Sequence, residues 1–70
     1  MRPMFIWRDA RGVLIGDVVQ GAKMTPVGLR AVYIARVAGQ QVEKPRFNCA
    51  KRVIEDWLRV NGIQATAYST

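Results

Sequence analysis

Short apolar, strand-forming runs separated by turn residues occupy the first two thirds of the chain, and helical spacing follows. Met4–Arg8 contains the strand formers Phe5, Ile6 and Trp7. Asp9-Ala10-Arg11-Gly12 follows, with Asp first and Gly last, the signature of a type I turn. Val13–Gln20 is a second β-rich run, so the two runs predict a hairpin. Gly16 inside the second run marks a bulge or a close backbone approach. Gly21–Gly28, with Gly at both ends and Thr25-Pro26 inside, reads as the main connecting loop. Thr25 as cap and Pro26 as first residue also fit a short helical turn there.

Leu29–Val37 alternates. Leu29, Ala31, Tyr33, Ala35 and Val37 point one way, and Arg30, Val32, Ile34 and Arg36 the other. Ala38-Gly39-Gln40 predicts a tight turn, and Gln41–Lys44 a fourth strand. Pro45 cannot donate to a ladder, so this strand is an edge or ends there. Asn48 is placed to cap a helix. Cys49, Ala50, Val53, Ile54, Trp57 and Leu58 recur at helical spacing on one apolar face, with Lys51, Arg52, Glu55, Asp56 and Arg59 opposite. Gly62 after Asn61 is a helix stop. Ile63–Tyr68 alternates as either a final strand or an ordered tail. The expectation is a single α+β domain over residues 1–70: a small antiparallel sheet of two hairpins packed against one C-terminal amphipathic helix, in the order β-β-β-β-α with a final β as an option.

Composition narrows the chemistry. The chain has 70 residues, no His and one Cys. That excludes a Ser-His or Cys-His nucleophile pair, a His-ligated metal and an internal disulfide. No spacing rule joins the five carboxylates Asp9, Asp17, Glu43, Glu55 and Asp56 into a catalytic pair. Gly12–Gly16 lacks the Lys and following helix of a phosphate loop. The expectation is a non-enzymatic protein with no catalytic residue, metal or cofactor. Cys49, on the apolar helix face, reads as a buried small hydrophobe suited to a reducing compartment. No apolar stretch approaches the ~20 residues of a membrane span or a signal peptide's apolar run, so a cytoplasmic protein with no membrane partner is expected.

Eleven Lys and Arg against five Asp and Glu give a net charge of +6. This favours an acidic partner. Arg outnumbers Lys, and guanidinium suits bidentate phosphate contacts. The excess is greatest in residues 29–47, where Arg30, Arg36, Lys44 and Arg46 stand against Glu43. On the helix, Lys51–Glu55, Arg52–Asp56 and Glu55–Arg59 are i,i+4 pairs, which predicts a solvated, self-paired face and moves the candidate surface to the sheet and its turns. Arg30, Arg36, Lys44 and Arg46 are the primary candidates for contact with nucleic acid or a protein partner, with Arg8 and Arg11 flanking the first turn. Val32 and Ile34 share a face with Arg30 and Arg36, so that face also reads as half core with arginines snorkelling at its edges. Trp7 and Tyr33 read first as core anchors and second as stacking platforms.

Val32-Tyr33-Ile34-Ala35-Arg36-Val37-Ala38-Gly39, then Arg46-Phe47, then Ala50, Ile54 and Trp57, resemble the AP2-type and integrase arm-type DNA-binding domains. The resemblance covers residues 30–60. It implies a three-stranded sheet whose exposed face enters the major groove, with Arg30, Arg36, Lys44 and Arg46 as contacts. The family's usual Gly before the Phe is replaced by Arg46, and an extra hairpin precedes the matched part. Gly12–Val19 separately resembles strands of small SH3-like barrels, although a helix after four strands makes a closed barrel less natural.

Two functions follow as expectations. The first is a small basic accessory or regulatory protein of phage or mobile-element type that binds double-stranded DNA through its sheet. The second is a small non-enzymatic inhibitor of an acidic host protein or nucleoprotein complex, of an anti-host, anti-CRISPR-like kind, using the same arginines and the edge at Gln41–Lys44. An unpaired edge strand in so short a chain makes a homodimer compatible with both.

Overall fold

The structure, a computed structural model, describes residues 2–70. The elements are β1 (Pro3–Arg8), β2 (Leu14–Thr25), β3 (Gly28–Val37), β4 (Gln40–Lys44), α1 (Phe47–Val60) and β5 (Thr66–Ser69). The strands form one antiparallel sheet in the order β4-β3-β2-β1-β5. This is the α+β fold expected from the sequence, and the Ile63–Tyr68 alternation resolves into a final strand. β5 pairs with β1, Ile6 opposite Tyr68, and Thr70 extends the contact with a backbone bond to Met4 and a hydroxyl bond to the Pro3 carbonyl.

The loop expected over Gly21–Gly28 is instead strand. β2 and β3 stay in register from Gly16↔Val37 to Thr25↔Gly28, leaving only Pro26 and Val27 in the turn. The Thr25 hydroxyl accepts the Val27 N–H and donates to the Gly28 carbonyl, so a side chain closes the turn where Pro26 has no N–H to offer. β1 accompanies β2 only as far as Val19, and β4 accompanies β3 only as far as Tyr33. Beyond those points Gln20–Thr25 and Gly28–Val32 pair only with each other, as a two-stranded arm. The molecule is correspondingly long, 43 × 23 × 19 Å.

α1 lies across one face of the sheet. Residues opposite each other in antiparallel strands project to the same side, so Trp7, Gly16, Val18, Ala35 and Val37 face the helix. Trp7, Val18, Ala35 and Val37 form the core with Ala50, Ile54 and Leu58. Trp7 is therefore buried structure. Phe5, Phe47 and Tyr33 close one end of this core, with ring centroids 5.6 Å apart for Phe5–Phe47 and 6.1 Å for Tyr33–Phe47.

That aromatic cluster explains two departures from the sequence pattern. The helix begins at Phe47, capped by the extended backbone of Arg46 without a side-chain bond, and Asn48 lies inside it. A cap contributes about 1 kcal/mol, whereas seating Phe47 among two rings contributes its buried area and the ring contacts as well. The buried stripe then runs through Phe47, Ala50, Ile54 and Leu58, which turns Cys49 out to solvent. The far end follows the expected stop. Gly62 (φ 65°) donates to the Arg59 carbonyl and Ile63 to the Leu58 carbonyl, a Schellman pair that returns Ile63 to the core.

Gly16 fulfils both readings of its position. The β1–β2 register shifts between Trp7↔Gly16 and Arg8↔Leu14, leaving Ile15 as an extra residue. A Cβ on Gly16 would also lie 3.1 Å from the Arg36 carbonyl oxygen and 3.3 Å from Ile54 Cγ2. The first neighbour is backbone in a central strand and the second is a fully buried side chain, so neither yields cheaply. Overpacking of this kind costs roughly 1–3 kcal/mol, offset by about 0.5–1 kcal/mol from the lost freedom of glycine. Gly16→Ala is expected to lower unfolding free energy by about 1 kcal/mol net, read from the urea midpoint at unchanged m-value.

Candidate functional site

The face of the sheet away from α1 carries Ile6, Arg8, Asp17, Val19, Lys23, Arg30, Val32, Ile34, Arg36 and Glu43 by register. Its centre is packed although no helix covers it. Val19 is 2% exposed and Asp17 6%, with Ile34 opposite the first and Ile6 opposite the second. Half of this face is thus a minor core, in line with the reading of Val32 and Ile34.

Arg36 stands directly across from Asp17 and closes on it as a fork. Nε donates to Oδ1 at 2.6 Å and Nη2 to Oδ2 at 2.5 Å. The Asp17 carboxylate raises the Arg36 pKa further, which keeps the guanidinium charged at any pH of interest. A buried carboxylate needs such a partner because desolvation of an unpaired charge costs several kcal/mol. This pair serves the fold, and it removes Arg36 from the cations free to meet a ligand.

Arg11 is engaged as well. Asp9 Oδ2 accepts its Nη2 at 3.1 Å, while Asp9 Oδ1 accepts the Arg11 and Val13 backbone N–H groups at 2.9 and 3.0 Å. Gly12 N–H donates to the Asp9 carbonyl, closing the first turn as its sequence predicts. The Arg8 guanidinium donates to the Gly12 carbonyl at 2.8 Å. Arg8 and Arg11 thus brace the turn at the end of the sheet remote from the arm.

Arg30 lies on the arm, across from Lys23. Like charges directly opposed on a ribbon repel, and Lys23 finds relief in Glu43 at 3.5 Å, a weak exposed pair. Lys44 pairs with Tyr33 at the arm's base and projects to the helix side, where it lines a shallow depression with Asn48, Cys49, Arg52, Val53 and Asp56. Arg46 follows at the helix start. Arg30, Arg36, Lys44 and Arg46 therefore do not share one face. Three of them surround the arm and its base, and Arg36 is set apart by Asp17.

The helix ions do not pair as their i,i+4 spacing suggests. Lys51 sits over the Phe5 ring, 5.0 Å from its centroid, and Arg59 pairs with Asp56 one step closer, at 3.0 Å. Among the described residues Arg2, Arg8, Arg30, Lys44, Arg46, Lys51 and Arg52 pair with no carboxylate. Lys23, Lys51 and Arg52 were not singled out from the sequence. The signal for Lys23 is the apolar–polar alternation Ala22-Lys23-Met24 mirrored by Leu29-Arg30-Ala31 across the turn, which a loop reading conceals.

The result is a one-sided charge distribution. Residues 20–33 hold Lys23 and Arg30 with no acid, and residues 43–52 hold Lys44, Arg46, Lys51 and Arg52 against Glu43. Together they carry +5 of the net +6. These segments meet at the base of the arm through the Tyr33–Lys44 pairing and the Tyr33–Phe47 ring contact. No acidic residue occupies the first turn of α1, where a carboxylate would offset the positive end of the helix dipole. Among the described residues no helix is long and apolar enough to cross a membrane.

Two measurements test these assignments. Asp17→Asn removes the charge that holds Arg36. Because the Arg36 side chain is 39% exposed and water screens it in part, the expected loss is about 1–3 kcal/mol of unfolding free energy, below the range for a fully buried pair. A urea midpoint unchanged from wild type would show that the fork contributes nothing. For Asp9, hydrogen bonds from the Val13 N–H first, and then from Arg11, hold the carboxyl below its ordinary value of 3.8. A depressed carboxylate pKa stabilises the fold above the unfolded-state value, and that stability is lost as pH falls through the folded-state value. NMR titration is expected to give an Asp9 midpoint below 3.8, with the Arg11 and Val13 amides shifting at the same pH and not doing so in Asp9→Asn.

Comparison of the chain with models of protein families, with curated proteins and with solved structures found no match.

Proposed function

We propose that this is a small, non-enzymatic nucleic-acid-binding protein, of accessory or regulatory type, that contacts double-stranded DNA with the β2–β3 arm and the basic end around its base. The observation that carries this reading is the +5 charge gathered in residues 20–33 and 43–52. Six cations there outnumber the nearby carboxylates Glu43 and Asp56, an arrangement that repels itself and is relieved by a polyanion. A two-stranded ribbon has the width to enter a DNA groove, and the likeness of residues 30–60 to AP2-type domains points to the same ligand. The contacts assigned are Arg30, Lys44 and Arg46, with Lys23, Lys51 and Arg52 beside them. Arg36 is left out because Asp17 holds it.

Binding to a duplex of random sequence, followed by fluorescence anisotropy, tests the reading. Affinity should be measurable at low salt and fall with a log–log slope of about −5 if six phosphates are neutralised. Replacing Arg30, Lys44 and Arg46 with Ala together should reduce the slope by about 3, whereas Arg59→Ala, at the other end of α1, should leave it unchanged. Undetectable binding at low salt, or a slope indifferent to the triple replacement, overturns the reading. The open edge of β4 favours an acidic protein surface as the second reading. Capture of a single protein that survives nuclease treatment would select it.

A further inference from the structure

The tip of the arm carries apolar side chains that the fold does not use. Met24, Val27 and Leu29 are 72%, 78% and 69% exposed. Met24 and Leu29 stand opposite each other on the face away from Lys23 and Arg30, and Pro26 and Val27 form the turn beyond them. The turn is held by the Thr25 hydroxyl, which binds the Val27 N–H and the Gly28 carbonyl at once. Pro26 fixes its own φ. A solvated hairpin end would be served as well by Ser, Asn or Lys, yet this one presents four apolar residues on a pre-organised turn.

We propose that the arm tip is an apolar wedge that enters the minor groove of duplex DNA and partly unstacks a base step, while Lys23 and Arg30 hold the flanking phosphates. The inference rests on the DNA reading above and adds the mode of contact. Charge selects the occupant. The apolar pair Met24 and Leu29 sits one rung from the cationic pair Lys23 and Arg30, and the arm has no acid, so its partner is anionic where it meets the cations and apolar where it meets the tip. Stacked bases between phosphate chains have that composition. Met, Leu and Pro are among the side chains that wedge base steps, and the kink they cause lets the duplex wrap more protein surface. Here that surface is the Lys44, Arg46 and Arg52 end of the molecule.

A second copy of the chain fits the tip poorly. A stable interface buries about 800 Å² on each side with roughly 20–30 residues, whereas the bare tip offers four apolar residues, and pairing would bring two +6 chains together. A lipid surface fits less well than DNA because residues 20–32 contain no Trp or Tyr, the residues that favour the membrane interface.

The test uses the full chain and a duplex with 2-aminopurine at TA steps, which unstack most readily, and a donor–acceptor pair at its ends. Saturating wild-type protein is expected to raise both 2-aminopurine fluorescence and end-to-end energy transfer. The combined variant Met24→Thr, Val27→Ser, Leu29→Thr changes only exposed positions and should keep the wild-type urea midpoint. It should bind with the wild-type salt dependence and lose both signals. Wild-type protein that saturates the duplex by anisotropy with neither signal overturns the wedge and leaves the DNA reading standing. Absence of anisotropy overturns both. Wild-type binding to phosphatidylserine vesicles that the tip variant loses, with no response from the duplex, assigns the tip to a membrane surface and overturns the wedge. A wild-type dimer in sedimentation that the tip variant reduces to monomer overturns it in favour of self-association.

Discussion

A length mismatch governs this molecule. α1 has 14 residues and reaches ~21 Å, whereas β2 has 12 and reaches ~40 Å. One helix cannot cover both central strands from end to end, and the chain contains no second helix among the described residues. The part of the sheet under the helix becomes the core. The part beyond it has no apolar cover on either face and must be occupied by residues whose surroundings are water or a partner. The division falls near Gln20 and Tyr33, where β1 and β4 stop accompanying β2 and β3.

Within the covered half, small residues set the spacing between layers. Gly16, Ala35 and Ala50 let Ile54 settle against the sheet backbone, so the helix lies close above β2 and β3. The opposite face of the same strands has no helix, and there the chain uses a different device. Asp17 and Arg36 span the two central strands as a charged rung, flanked by Ile6, Val19 and Ile34. The electrostatics then separate along the long axis. Acids are consumed at the turn, on the central rung and on the last turns of α1, and cations without partners accumulate around the arm's base.

The elements that rest on local chemistry were legible in the sequence. The Asp9–Gly12 turn, the Leu29–Val37 alternation, the Ala38–Gly39 reversal, the amphipathic helix and its Gly62 stop each follow from a residue type acting on its neighbours. Gly16 was legible as a special position, but not what approaches it, because Ile54 is 38 positions away. The features that escaped depend on tertiary partners. Asn48 is a better cap than Arg46 by propensity, yet the aromatic cluster decides where the helix starts. Cys49 belongs to the apolar pattern until Phe47 shifts the buried stripe. Gly21–Gly28 has the composition of a loop, and only its pairing with the start of β3 makes it a strand. The basic candidates were found by count, and their division into Arg36 on one side and Arg30, Lys44 and Arg46 on the other required knowing that Asp17 faces Arg36.

The strand order has a kinetic consequence. β2, β3 and β4 are joined by two-residue turns and pair with near neighbours, whereas β1 and β5 meet across roughly sixty residues of sequence. Closing that distance carries a loop entropy that the hairpins do not. The hairpins and the helix can therefore organise while one side of β1 still presents unpaired amides and carbonyls, and only when Thr66–Ser69 arrive is that edge sealed. β5 is in this sense a latch on β1.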